Sequence, residues 1–154
     1  MATGEKKNYF GAEFDWLAVD REGHVGHFST AGYGPAPLAL TEHGKSQRAA
    51  FEYIKSLPKK RPVVPLKFAG GGDLSDWQDM AKRGVFSFDH EDWQGPYQQM
   101  AQPLREPLRI DGLPEHVRAE IEVIRLEDVS FRWRVIVKPS EHPEIFGEQQ
   151  ARRQ

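Results

Sequence analysis

The sequence contains no cysteine, which excludes disulfide bonds, thiol catalysis and cysteine-ligated zinc. It also lacks any apolar run close to the roughly 18 residues that identify a membrane-spanning helix. Residues 1–7 are polar and include no apolar stretch of the kind found in secretory signals. We therefore expect a cytoplasmic protein with no membrane partner.

An excess of positive charge is absent as well. The chain has 21 Lys and Arg residues against 23 Asp and Glu residues, a formal net charge of −2. Domains that bind duplex DNA usually carry a basic surplus. The basic clusters at residues 59–61 and 152–153 are short, and we interpret them as solvated surface. Nucleic acid is therefore not an expected partner.

The length of 154 residues suits a single domain, 1–154, and a domain of this size can bury a core without metal or disulfides. We expect its polar ends, about residues 1–8 and 148–154, to fray.

The spacing of apolar residues predicts the order of helices and strands. Predicted strands cover residues 14–20, 24–30, 85–88, 97–101 and 129–137, and predicted helices cover residues 41–57, 75–83 and 114–124. Strands and helices are segregated along the chain instead of alternating strictly. This order predicts an α+β fold: a mixed or mostly antiparallel sheet with about three helices packed on one face.

A β-hairpin over residues 14–30 is the most specific local signal. Its first strand is apolar on both faces, which is typical of a central strand. Asp20 can start the turn and Gly23 can take its left-handed position. Trp16 on this strand and Trp133 on the last predicted strand are expected in the core.

The sequence carries no recognisable motif for catalysis or for metal binding. Ser29 lacks the G-x-S-x-G pattern of hydrolases, and the glycine run 70–72 lacks the Lys-Ser or Lys-Thr pair of a phosphate loop. His24 and His27 are three apart on a strand and point to opposite faces, so they cannot together hold one metal ion unless a bulge intervenes. We predict no catalytic residue, no metal and no cofactor.

An acidic and aromatic segment is the candidate recognition surface. Asp89, Glu91 and Asp92 lie within four positions, and Trp93 and Tyr97 follow. Clustered carboxylates attract a basic partner, and exposed Trp and Tyr side chains often dominate binding energy. We predict that these five residues form the partner-facing surface. The alternative is that Trp93 covers the core and the carboxylates are only solvated.

Three segments together resemble a group of small uncharacterised bacterial cytoplasmic proteins. They are residues 14–37 (FDWLAVDREGHVGHFSTAGYGPAP), residues 81–89 followed by Gly95-Pro96-Tyr97, and residues 103–108 followed by Leu113-Pro114 and Val129-x-Phe131. This group is loosely similar to the immunity proteins of toxin systems. The resemblance implies binding to another protein and supplies no catalytic residue.

Two classes of function follow from these observations. The first is a non-catalytic protein-binding domain, an immunity-type or adaptor protein that binds and blocks a partner such as a basic toxin or effector. The second is a small hydrolase-like enzyme or small-molecule-binding domain that uses Asp15, Asp20, Asp89 and His90 around a pocket at the end of the sheet. A flat or convex acidic face favours the first, and a deep pocket with a His–carboxylate pair favours the second.

Overall fold

A computed structural model describes residues 15–30, 35–66, 75–90 and 96–147. The predicted tails and the glycine run 70–72 lie outside these residues. Within them the chain forms one mixed seven-stranded sheet and five short α-helices, which confirms the predicted α+β class. The strands are β1 (Asp15–Asp20), β2 (Val25–Ser29), β3 (Val63–Pro65), β4 (Phe86–His90), β5 (Tyr97–Pro103), β6 (Arg125–Leu126) and β7 (Ile136–Val137). The helices are α1 (Leu38–Thr41), α2 (Arg48–Lys55), α3 (Ser75–Lys82), α4 (Glu115–Ile121) and α5 (Pro143–Phe146).

The sheet has the strand order β3-β5-β4-β2-β1-β6, and β7 also pairs with β5. β1 and β2 form the predicted antiparallel hairpin, which lies inside the sheet because β2 also pairs with β4 and β1 with β6, both in parallel. The hairpin turn is closed by the Asp20 carboxylate, which accepts the backbone N–H groups of Glu22 and His24. Gly23 takes the left-handed conformation there, with φ 85°.

Each face of the sheet carries its own hydrophobic core. The aliphatic core includes Leu17 and Val19 of β1 and is covered by α2, α3 and α4, the three helices predicted on one face. The aromatic core, on the other face, is built around Trp16, Phe28 and Phe131. The four-residue helices α1 and α5 pack against the aromatic core, so the sheet is covered on both sides.

The predicted helix over residues 41–57 is wrong in its first half. α1 ends at Thr41 and α2 begins only at Arg48. Gly44 between them takes the left-handed conformation, with φ 67°, which no helical turn can accommodate. Of the apolar residues at helical spacing, Ala50, Tyr53 and Ile54 lie in α2, where Ala50 and Ile54 are buried, and Leu57 follows its end.

The predicted strand over residues 129–137 is also mostly wrong. The backbone N–H groups of Trp133 and Arg134 donate to the carbonyl of Ser130 and close a turn, so only Ile136–Val137 is a strand. Trp133 is 78% exposed, which corrects its predicted place in the core, whereas Trp16 is fully buried as predicted. The alternation of apolar residues is interrupted because the turn rotates Trp133 outward after Phe131 enters the core.

Candidate functional site

A cleft of about 500 Å³ opens at one end of the central strands, beside α2 and α3. It is lined by Asp15, His27, Ser29, Phe51, Lys55, Asp76 and Trp77. We call it the sheet-end cleft. Its volume falls within the range of pockets that bind small molecules or single side chains of a partner.

Strand pairing brings the polar residues of the sheet-end cleft together. Asp15 at the start of β1 is paired with Ser29 at the end of β2, and Ser29 is paired with Asp89 near the end of β4. Alternate residues of a strand face the same side, so Asp15 and His27 share the face of the neighbouring aliphatic core. The polar cleft therefore continues the aliphatic core to the edge of the sheet.

His27 is held between two partners at the floor of the cleft. Its Nδ1 lies 2.8 Å from the Ser87 hydroxyl, and its Nε2 lies 3.0 Å from Oδ2 of Asp15. An ionised carboxylate can only accept, so Nε2 carries the proton that is donated to Asp15. His27 and Ser87 are buried, whereas the Asp15 side chain is 42% exposed toward the cleft.

The Asp15 carboxylate is a fixed negative charge. Partial burial on its own raises its pKa, but the hydrogen bond and charge of His27, the charge of Lys55 and a hydrogen bond from Ser29 outweigh this effect. The pKa of Asp15 therefore lies below its ordinary value. At neutral pH this group is ionised, and it is a weak general base.

The wall of the cleft supplies a second carboxylate and two aromatic rings. Asp76 lies exposed in the first turn of α3, and Trp77 follows it. Phe51 of α2 contacts the edge of the His27 ring, with centroids 6.0 Å apart. The Lys55 ammonium lies 5.9 Å from the Phe51 centroid. Two carboxylates beside aromatic faces can bind a cationic group, because both attract positive charge.

The structure describes two of the five residues predicted to face a partner, Asp89 and Tyr97. Asp89 is half-buried and is paired with Ser29, which lines the sheet-end cleft. Glu91, Asp92 and Trp93 lie outside the described residues. Tyr97 is fully buried: its hydroxyl donates to the Pro35 carbonyl at 2.8 Å.

Tyr97 therefore belongs to the aromatic core, which corrects its predicted place on a binding surface. Its hydroxyl also accepts the indole N–H of Trp16 at 3.2 Å. Burial raises the pKa of Tyr97 far above its ordinary value, so the phenol stays neutral. Tyr97 packs inward because the pairing of β5 places it on the sheet face that the aromatic core covers. The sequence did not reveal this pairing.

The second class of function relied on a pocket formed by Asp15, Asp20, Asp89 and His90, and these four residues do not all lie together. Asp15 lines the sheet-end cleft, but Asp20 lies at the opposite end of β1. His90 is fully buried, with its ring against Tyr97 at a centroid distance of 4.8 Å. The histidine that meets a carboxylate in the sheet-end cleft is His27. Hairpin register was the signal that could have found it, because the turn pairs Asp15 with Ser29, two residues from His27.

A second exposed feature is the turn over residues 130–134, which we call the Trp133 turn. The buried Gln99 amide donates to the carbonyls of Phe131 and Arg134, at 2.8 and 3.1 Å, and holds this turn in place. A small notch of about 110 Å³ lies beside the exposed Trp133 ring and is lined by Arg21, Asp128, Ser130, Trp133 and Arg134.

Neither a family model nor a curated protein nor a solved structure matches this chain. In the part of the chain that the structure describes, no helix is both long enough and apolar enough to cross a membrane. The inference about function therefore depends on the geometry and charge of the sheet-end cleft.

Proposed function

We propose that this chain is a non-catalytic protein-binding domain, an immunity-type or adaptor protein, and that a basic partner binds at the sheet-end cleft. One observation carries the proposal: Asp15 and Asp76 line an open cleft together with the aromatic rings of Phe51 and Trp77. Lys55 also lines this cleft, with its ammonium near the Phe51 ring, so two carboxylates face one lysine there. A lysine or arginine side chain of a partner has the matching chemistry. Its cation pairs with the carboxylates, and its apolar stem packs on the rings.

The hydrogen bonds within the cleft support binding over turnover. Both ring nitrogens of His27 have partners, Ser87 and Asp15, so Ser87 is the hydroxyl placed to exchange a proton with this ring. Ser87, the hydroxyl that contacts this histidine, is fully buried and cannot attack a bound molecule. With its lowered pKa, Asp15 is better suited to hold a positive charge than to move a proton.

Charge around the cleft also supports a basic partner. Asp89 is in register with Ser29 of the cleft, and Glu91 and Asp92 follow it two and three positions later in the sequence. A local excess of carboxylates speeds the encounter with a basic protein, and this effect weakens as salt screens the charges. The loosely similar immunity proteins of toxin systems act on such partners by binding them.

A small-molecule-binding domain is the second candidate, and it is the class that a pocket with a His–carboxylate pair favours. The observation that favours it is the concave shape of the cleft, about 500 Å³ in volume, with a His27–Asp15 pair at its floor. A free organic cation would use the same carboxylates and rings. The two candidates differ in whether an isolated cation or a whole basic segment supplies the binding energy.

Binding can be tested with two probes, an arginine-rich peptide and argininamide, by following backbone amide signals in NMR titrations. We expect the peptide to shift signals of residues that line the cleft. Asp76→Asn should weaken peptide binding about tenfold, equivalent to about 1.4 kcal/mol, because it removes one of the two carboxylates. Asp111→Asn is the matched control, since its side chain is 71% exposed and lies outside the cleft.

The outcomes separate the candidates. Equal affinity of Asp76→Asn and the unmodified chain for the peptide would refute binding at the cleft. Argininamide that binds as tightly as the peptide would favour the small-molecule domain. For an immunity-type protein, co-expression should also protect cells from a toxin encoded beside its gene, and the Asp76→Asn variant should protect them less.

A further inference from the structure

The hairpin turn carries a polar cluster of its own, at the end of β1 opposite the sheet-end cleft. In this turn Asp20, Glu22 and His24 each place one metal-ligand atom within 4.8 Å of the others. We propose that the turn binds a divalent transition-metal ion through these three side chains. Zn²⁺ is the reference ion, because one imidazole and two carboxylates form a donor set that zinc accepts.

The carboxylate of Asp20 retains one free acceptor position. Its Oδ1 accepts the N–H groups of Glu22 at 2.9 Å and His24 at 2.8 Å, and its Oδ2 accepts the N–H of Phe131 at 2.8 Å. A carboxylate offers about four lone-pair positions, so the three backbone donors leave one position on Oδ2. The same three bonds fix the orientation of the group.

The imidazole of His24 brings close to this position a nitrogen that has no hydrogen-bond partner. The residue is only 8% exposed, and its Nδ1 is buried without a hydrogen-bond partner. Nδ1 lies 3.6 Å from Oδ2 of Asp20, which is too long for a direct hydrogen bond. Two atoms bound tetrahedrally to zinc at about 2.1 Å are about 3.4 Å apart, so the gap matches a shared ion.

Glu22 completes the cluster from the solvent side. Its side chain is exposed, which gives an ion a path to the site, and its Oε1 accepts the Ser130 hydroxyl. The His24 ring packs near Phe86, with centroids 5.4 Å apart. Outer contacts of this kind orient metal ligands and raise affinity. Three protein ligands leave a fourth position for water.

This site is independent of the proposed function of the cleft. Asp15 and Asp20 stand at opposite ends of β1, about 16 Å apart at the usual rise of a strand. The proposal also departs from the sequence-based expectation of no metal, which considered His24 only together with His27. The missed pattern is D-x-E-x-H within one tight turn.

The test is calorimetric titration of ZnCl₂ into the chelator-treated full chain. We expect one saturable site per chain. His24→Gln and Glu22→Gln should each weaken zinc binding more than about 100-fold, because loss of an outer contact alone costs 10–100-fold. His43→Gln is the matched control, an exposed histidine outside the cluster, and should bind zinc like the unmodified chain.

Cobalt provides a second readout. Co²⁺ bound in place of zinc should give visible absorption bands that disappear in His24→Gln. The proposal would be overturned if the titration showed no saturable site, or if both His24→Gln and Glu22→Gln bound zinc as tightly as the unmodified chain. A bridging water would then explain the gap between Asp20 and His24. Circular dichroism shows whether the variants fold. If His24→Gln does not fold, the exposed Glu22→Gln decides the outcome.

Discussion

Trp16 and Trp133 have opposite surroundings: the first is fully buried and the second is mostly exposed. The Trp16 ring stacks on Phe28 with centroids 4.2 Å apart and meets Tyr97 edge-on at 5.5 Å. Trp133 is 78% exposed on its turn. Buried aromatic pairs add to the energy of area burial, so only the first tryptophan contributes strongly to folding.

Trp16→Ala should therefore lower the free energy of unfolding by about 3–5 kcal/mol, the cost of removing a buried aromatic ring. Trp133→Ala should change it by less than about 0.5 kcal/mol, as is usual for exposed positions. Urea unfolding of both variants provides the measurement. A Trp16→Ala variant with an unchanged midpoint would mean that this ring is not part of the core.

Asp20 should make the stability depend on pH. Burial on its own raises the pKa of Asp20, but the nearby His24 side chain and the backbone N–H groups of Phe131 and His24 outweigh burial, so the pKa lies below the ordinary 3.8. A lowered pKa in the folded state stabilises the protein above the unfolded-state value. This contribution is lost as the pH falls below 3.8 and passes through the folded-state pKa.

We expect the stability difference between the unmodified chain and Asp20→Asn to be greatest near neutral pH. It should narrow as the pH falls below about 4, because protonation then removes the charge that Asn lacks throughout. Urea unfolding at a series of pH values measures this difference. A difference that is constant down to pH 2 would show that Asp20 titrates normally.

At the scale of elements, the sequence predicted those helices and strands that residues close in sequence specify. The hairpin, α3, β4 and β5 occur close to their predicted bounds because turn residues and apolar spacing specify them locally. The gap between α1 and α2 was missed because its cause is the conformation of one residue, Gly44. The Trp133 turn was missed because the side chain of Gln99, distant in sequence, supplies its hydrogen bonds.

Gly26 allows β2 to pack against the aromatic core. A Cβ atom at this position would lie 2.6 Å from Cε2 of Phe131, closer than real atoms approach. Gly26→Ala should therefore destabilise the fold by about 1–3 kcal/mol, as overpacking of a core does. Thermal or urea unfolding measures the loss.

Two further variants check this explanation. Gly112→Ala is the matched control, because a Cβ there meets nothing within 4 Å. It should change the stability by less than about 0.5 kcal/mol. Phe131→Leu added to Gly26→Ala should recover part of the loss by making room, and a double variant whose losses simply add would refute the clash.

At the scale of the whole molecule, the candidate site could not be predicted from the sequence. Asp15 was among the candidate residues, but its partners in the sheet-end cleft come from α2 and α3, far along the chain. Their approach depends on the parallel pairing of β2 with β4, which leaves no local trace in the sequence. The sequence pattern around Asp76 and Trp77 indicates only a surface helix.

Protection of backbone amides from exchange should follow the strand order. β1, β2 and β4 have neighbours on both sides and cores on both faces, so their amides should exchange most slowly. Amides of the edge strands β3 and β6 should exchange faster. Hydrogen-exchange NMR measures this order, and equal protection across the sheet would show that the strands open together.

The two parallel pairings also determine how the chain reaches its fold. The β1–β2 hairpin closes a turn of four residues and can form within about 1–10 μs. The β2–β4 pairing joins Gly26 to Phe86, and the β1–β6 pairing joins Val19 to Arg125, so large loops must close first. A lone hairpin is marginally stable, and loop-closure entropy opposes its completion. The refolding rate should therefore be limited by the pairing of β4 and β6 with the hairpin, which forms and unfolds many times before they pair.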